Sequence, residues 1–138
     1  MLRIFNISMV CALVLTCLAS CSLFKSDKNE TDGYSDNRKI MEQEAQRKLQ
    51  TARVFMQKED FAQAKKTIEA MRKKDYLAIT ARKEGILLMD SICLQEAKMQ
   101  LTKTDSLQQV GEASGTQLEE ACQKVQFYER KLQFDKQR

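Results

Sequence analysis

The strongest constraint on the fold is the near absence of helix-breaking residues. The chain contains no proline and only four glycines, and these are the residues that most disfavour an α-helix. From about residue 36 onward, most positions are occupied by Ala, Glu, Lys, Gln, Leu, Met or Arg, which are the best helix formers. The sequence therefore predicts an all-α fold.

Apolar residues recur at spacings of three and four, which is the repeat of one helical face. They predict three to four helices, at about residues 36–57, 60–74, 76–107 and 117–137. A polar sequence at 58–60 separates the first two helices, and Asp60 is expected to cap the second. Because short connections favour antiparallel neighbours, we expect a short hairpin followed by a long antiparallel helical or coiled-coil hairpin.

The third predicted helix contains the most apolar part of this region. It is expected to start near Asp75 or Tyr76, and residues 86–89 place large apolar side chains around nearly its whole circumference. We therefore expect this helix to lie at the centre of the core and to be contacted from several sides. The lone charges Asp90 and Glu96 would then lie at the rim.

The last predicted helix carries a narrow apolar seam, formed by Leu118, Cys122, Val125, Tyr128 and Leu132. Phe127 and Phe134 lie off this seam. We expect these two rings to pack against the third helix. The alternative is an exposed patch of Phe127, Tyr128 and Phe134 that contacts a partner, since exposed apolar patches mark interaction sites.

The N-terminal segment predicts export. Arg3 is the single charge before an uncharged stretch at residues 4–17, and the small residues Ala19 and Ser20 precede Cys21. A positive start, an apolar stretch and a small-residue cleavage site are typical of a signal peptide. The apolar stretch is shorter than the ~20 residues of a spanning helix. An ordinary secretory signal and an uncleaved anchor are the alternatives.

The run Leu18-Ala19-Ser20-Cys21 resembles the lipobox of bacterial lipoproteins. The resemblance implies that a signal peptidase recognises Leu18, Ala19 and Ser20 and cleaves before Cys21. The Cys21 sulfur would carry a diacylglyceryl group, and its new amine an acyl chain such as palmitate. Two or three chains at one site hold a protein on a bilayer, because each buried methylene contributes ~0.8 kcal/mol.

A lipoprotein of this type implies a place in the Gram-negative cell envelope, on the outer membrane, with the periplasmic or surface face left open. The domain organisation is then a signal peptide at 1–20, a lipid anchor and flexible tether at 21–37, and a single helical domain at 38–138. This interpretation predicts that the protein attaches to the membrane through its lipid.

Charge and composition exclude several functions. Without residues 1–20 the chain keeps 118 of its 138 residues, enough for one small domain, and its formal charge falls from +4 to +3. This charge is too small to indicate nucleic-acid binding. The densest basic cluster, Arg72-Lys73-Lys74, is expected to be a solvated helix C-terminus, where cations suit the macrodipole.

Residues suited to catalysis are scarce. The chain has no histidine, which is the commonest general base and metal ligand. It also lacks a glycine-rich phosphate loop, a nucleophile elbow and the paired-cysteine spacing of zinc sites. We therefore expect no enzymatic activity, no metal and no cofactor besides the lipid. Only a carboxylate pair brought together in space would point to an enzyme.

The first two predicted helices resemble a tetratricopeptide-type hairpin over about residues 45–74. The matching residues are Ala52, Phe55, Phe61, Ala64 and Ile68. The chain departs from that pattern, because Glu59 stands where the turn usually has glycine, no proline follows and no second copy is present. Any short α-hairpin accounts for the pattern equally well, since stable arrays need about three repeats.

Of the five cysteines, Cys93 and Cys122 remain after cleavage and lipidation. The predicted turn lies about four residues away from the midpoint between them. In an antiparallel hairpin this separates them by about 13 Å along the axis, whereas a disulfide needs Cα atoms within about 7 Å. We expect two reduced core thiols, and a disulfide is the alternative.

Three functions are consistent with these features. The first is a membrane-anchored helical module that binds another envelope protein, with the third and fourth helices as the contact surface. The second is a structural homo-oligomer whose last helix pairs with copies of itself. The third, which we consider the weakest, is an enzyme.

Overall fold

The computed structural model describes residues 36–138. The predicted signal peptide, the Cys21 lipid site, its recognition residues Leu18, Ala19 and Ser20, and nearly all of the tether lie outside the described residues. Residues 36–138 form four α-helices and no strand, which confirms the all-α prediction. The helices are α1 (Asp36–Gln57), α2 (Phe61–Lys74), α3 (Ile79–Gln109) and α4 (Gly115–Lys136).

The turn between α1 and α2 is closed by two backbone hydrogen bonds. Asp60 N–H donates to Phe55 O at 3.0 Å, and Glu59 N–H donates to Met56 O at 3.0 Å. This is the Schellman arrangement, whose left-handed position usually holds glycine. Glu59 occupies that position with φ of 61°. Asp60 then caps α2, because its Oδ1 accepts from Gln63 N–H at 3.1 Å, as the sequence predicts.

Helix α3 begins at Ile79, three or four residues later than the start expected near Asp75 or Tyr76. Asp75 does not cap the helix, because its buried carboxylate accepts from Lys48 Nζ of α1 at 2.6 Å. The N-cap residue, Ala78, has no capping side chain. Glu42 of α1 supplies the missing acceptor, since its Oε1 takes the Ala81 N–H at 2.6 Å.

The core lies where α1, α2 and the first half of α3 meet. Its largest fully buried side chains are Leu49, Ile68, Met71 and Ile92. Helix α3 contacts the other three helices, as expected for the central element. Within residues 86–89, Leu88 is buried, Leu87 and Met89 are partly buried, and Ile86 is 38% exposed.

Gly85 of α3 lies against the buried Met71 side chain of α2. A Cβ at this position would stand 2.7 Å from Met71 Cε. Close packing of buried side chains leaves little space for an added methyl group. The small residue in α3 therefore leaves room for the end of the Met71 side chain.

Helices α3 and α4 form the long antiparallel hairpin. Gly111, with φ of 79°, occupies the left-handed position after α3, and Glu112 N–H donates to Leu107 O at 2.8 Å. Ser114 and Gln117 form a capping box, so α4 begins at Gly115 rather than at the expected position 117. Among the described helices, α4 approaches only α3, and no described residue of α3 after Ala97 is buried.

The resemblance of α1 and α2 to a tetratricopeptide hairpin stays a prediction. Ala52, Phe61, Ala64 and Ile68 are buried at their interface, and Phe55 packs on the core. These contacts are those of any closely packed α-hairpin.

Candidate functional site

Helix α4 has one side against α3 and one side in solvent. Val125 is buried, and the other four seam residues, Leu118, Cys122, Tyr128 and Leu132, are partly buried. The seam predicted from the sequence is therefore the inward side of α4. Polar contacts with α3 maintain this orientation. They include the Lys98–Glu129 ion pair at 2.8 Å and the Lys124–Gln100 hydrogen bond at 3.0 Å.

The two phenylalanines off the seam are exposed, and the expectation that they pack against α3 is wrong. Phe127 is 55% exposed and Phe134 is 60% exposed. They are seven residues apart, which is about two turns, so both lie on the same side of α4. The seam already fills the contact with α3, and the two rings therefore lie outside it.

The third residue of the predicted patch, Tyr128, connects the exposed Phe127 ring to the interior. Its ring meets that of Phe127 edge to face, with centroids 5.1 Å apart. Burial raises the pKa of the Tyr128 phenol, and the neighbouring Cys93 of α3 adds to the rise. Phe127 therefore packs on the partly buried Tyr128 ring. The Phe134 ring instead lies 5.7 Å from the guanidinium carbon of Arg138. We call Phe127, Tyr128 and Phe134 the aromatic face.

A carboxylate pair lies between α3 and α4. Lys131 Nζ is 2.5 Å from Asp90 Oδ1 and 3.0 Å from Asp135 Oδ2. The expectation that Asp90 lies at the rim is wrong, because its side chain is only 4% exposed. Glu96 does lie nearer the surface, where it pairs with Lys65 of α2 at 2.5 Å.

The environment separates the pKa values of the two carboxyl groups. Burial raises the pKa of Asp90, while the hydrogen bond from Lys131 opposes the rise. The same lysine lowers the pKa of Asp135. Because Asp90 is enclosed and Lys131 pairs with both acids, a substrate would have to separate the helices to reach Asp90. The arrangement is suited to joining α3 to α4.

Sequence reasoning missed this cluster. The available signal was an acid within the most apolar segment of α3, since a buried carboxylate needs a partner. The partner could not be named from the sequence, because Lys131 lies 41 residues further along the chain.

Cys93 and Cys122 are both free and partly buried. Asp90 lies beside Lys131, and Cys93 lies beside Tyr128, so the hairpin register places Cys93 well away from Cys122. This agrees with the expectation of two reduced thiols. The physical reason is the hairpin register, because the turn does not lie midway between the two cysteines in the sequence.

Within residues 36–138, no group of three or more Cys, Asp or Glu side chains is placed to hold a metal ion. None of the four described helices combines the length and hydrophobicity needed to cross a bilayer. Comparison with known proteins finds no matching family, no similar curated protein and no similar solved structure.

Proposed function

We propose that the chain is a lipid-anchored protein of the cell envelope that acts as a helical protein-interaction module. Support for the anchor comes from the lipobox-like run that ends at Cys21. Palmitate labelling of cells should mark the protein, and Cys21→Ala should abolish the label while leaving an unprocessed precursor. A Cys21→Ala variant that still incorporates palmitate would contradict the anchor.

The observation that carries the interaction role is the exposure of two aromatic rings on one side of α4. Phe127 and Phe134 are each more than half exposed, and aromatic side chains dominate the energetics of protein interfaces. Two rings about 10 Å apart along a helix suit a groove that accepts a helix side. The partner would be another envelope protein.

The carboxylate pair does not favour an enzyme in this proposal. Asp90 is closed to solvent and neutralised by Lys131, whereas a general acid or base must reach its substrate. We therefore assign the Asp90–Lys131–Asp135 cluster a structural role and propose no catalytic residue.

Self-association is a second candidate function. Among the described residues of α3, none after Ala97 is buried, and Met99 is 44% exposed. A second copy could lie along this part of α3 and form a coiled-coil type assembly.

Site-specific photo-crosslinking in cells tests the two functions. A photoreactive phenylalanine is placed at position 127 or 134, and matched controls carry it at the exposed neighbours Gln126 and Gln133. If the protein is an interaction module, positions 127 and 134 should cross-link to one defined foreign protein, and the control positions should not. Products containing only this chain would favour self-association. The same products from all four positions, or none, would contradict a specific aromatic face.

A further inference from the structure

Five cations gather at the corner between α2 and α3. Arg72, Lys73 and Lys74 end α2, and Arg82 and Lys83 lie in the first turns of α3. We call these five residues the basic corner. Within residues 36–138, no member of the basic corner forms an ion pair. The macrodipole of α2 favours the three cations at its C-terminus. It does not explain the two cations at the start of α3.

Nearby acids leave the basic corner with excess positive charge. Asp75 is buried and held by Lys48. Glu84 is directed to α1, where it accepts from Arg53 at 3.4 Å and from Gln46 at 3.2 Å. Glu69 lines the surface together with Arg72, Lys73 and Arg82. Asp135 lines a cleft with Lys83, but Lys131 pairs with it, and the cations Lys136 and Arg138 line the same cleft.

Apolar side chains are exposed among these cations. Tyr76 is 61% exposed, Ile79 47% and Ile86 38%, and all three line a shallow cleft with Arg72, Arg82 and Lys83. A surface that combines Lys and Arg with aromatic and aliphatic side chains is typical of proteins that lie on membranes. Tyrosine in particular favours the boundary between headgroups and acyl chains.

The basic corner lies at the end of the domain where α1 begins. Glu42, in the second turn of α1, bonds the first turn of α3 through Ala81 N–H at 2.6 Å. Helix α1 begins at Asp36, 15 residues after Cys21. A chain of that length spans at most about 50 Å, so a lipid on Cys21 would keep the start of α1 within that distance of a bilayer.

We propose that the basic corner docks on anionic lipid headgroups, with Tyr76, Ile79 and Ile86 inserted at the level of the headgroups. Charge complementarity selects the lipid, and the short connection to Cys21 supplies a high local concentration, so that a weak contact is sufficient. This inference rests on the lipid anchor of the proposed function.

Lysine labelling on vesicles tests the inference. The full-chain protein is purified from membranes and reconstituted in phosphatidylcholine vesicles or in vesicles containing about one third phosphatidylglycerol. Each lysine is then labelled with an amine-reactive reagent and quantified by mass spectrometry. Labelling of Lys73, Lys74 and Lys83 should fall at least about threefold on the anionic vesicles. The effect should disappear at about 1 M salt, where the Debye length is only about 3 Å.

Matched variants separate docking from general attraction. Lys73→Glu with Lys83→Glu should abolish the protection of Lys74, because each cation near an anionic surface changes partitioning about fivefold. Lys58→Glu with Lys103→Glu changes the net charge equally at exposed positions outside the basic corner and should leave the protection intact. Equal labelling on both vesicle types, or equal effects of the two double variants, would overturn the inference.

The two proposals fail in distinguishable ways. If mass spectrometry finds no lipid on Cys21, the anchor is wrong, and flotation of the two double variants with anionic vesicles still decides the inference. If the lipid is present but Lys73, Lys74 and Lys83 are labelled equally on both vesicle types, the anchor stands and docking is wrong. Protection in native membranes but not in anionic vesicles would indicate an acidic protein instead and would also overturn the inference.

Discussion

Replacing Lys131 with methionine should destabilise the α3–α4 hairpin at neutral pH. Methionine keeps most of the aliphatic stem, so the change mainly removes the charge between Asp90 and Asp135. Removing one partner of a fully buried ion pair costs about 3–5 kcal/mol. Because the Lys131 side chain is 40% exposed, water can partly replace it, and we expect a loss of about 2 kcal/mol at pH 7.5.

The loss should shrink as the pH falls. Burial already holds the pKa of Asp90 above its ordinary value of 3.8. Without Lys131 this pKa rises further, so the folded variant gains stability when Asp90 is protonated and loses it as pH rises through the raised pKa. Asp135 also loses the interaction that lowers its pKa, and that contribution is complete above the ordinary pKa of 3.8 and declines as pH falls towards the lowered pKa. Both effects make the folded variant less stable at neutral pH than at acidic pH, relative to the parent protein.

Urea unfolding followed by circular dichroism at pH 4.5 and 7.5 measures the effect, with Lys98→Met as the control. Lys98 also joins α3 to α4, but the Lys98 and Glu129 side chains are 54% and 49% exposed, so its loss should be about 0.5 kcal/mol and nearly independent of pH. In thermal unfolding, the Lys131 variant should melt about 10 °C lower. Equal losses in the two variants, or a Lys131→Met loss that is the same at both pH values, would refute the reasoning.

Three further changes test the turns and the core. Glu59→Gly should raise the free energy of unfolding by about 1 kcal/mol, because glycine relieves the left-handed conformation at that residue; a decrease in urea unfolding would contradict the turn geometry. Glu42→Ala should lower it by about 1–2 kcal/mol through loss of the acceptor for α3, and hydrogen exchange at the start of α3 should accelerate, whereas unchanged exchange there would argue against the cap. Gly85→Val should cost about 2 kcal/mol, because its side chain would overlap Met71; a midpoint equal to that of the parent protein would show that the end of the Met71 side chain moves aside freely.

Local chemistry explains why much of the fold could be predicted. Asp60 caps α2 through a residue three positions away, and Gly111 ends α3 through its own backbone conformation. The seam of α4 follows from spacings within a single helix. Such features depend on neighbours in sequence, so a periodic pattern and a capping residue are sufficient to indicate them.

The start of α3 and the burial of Asp90 could not be predicted in the same way. Asp75 would cap α3 in isolation, but Lys48 from another helix binds it and Glu42 takes over the capping role. Asp90 enters the interface because Lys131 approaches it from α4. In both cases the decisive partner is at least 27 residues distant in sequence, and its position depends on how the helices pack.

The aromatic face and the basic corner show the same division. The sequence identified Phe127, Tyr128 and Phe134 as a possible patch, but exposure depends on which side of α4 faces α3. The sequence also showed three of the five basic-corner cations as a cluster, and packing brought Arg82 and Lys83 beside them.

By itself, the sequence determined the all-helical class, the approximate bounds of the helices, the position of the hairpin turns and the lipobox-like run at Cys21. These features follow from backbone conformational preference and from the 3.6-residue repeat, which act over a few residues. Tertiary structure alone decided which charges are buried, which aromatic rings stay in solvent and which cations share a surface. Those outcomes depend on the distances between helices that are remote in sequence, because burial and pairing are properties of the packed helices.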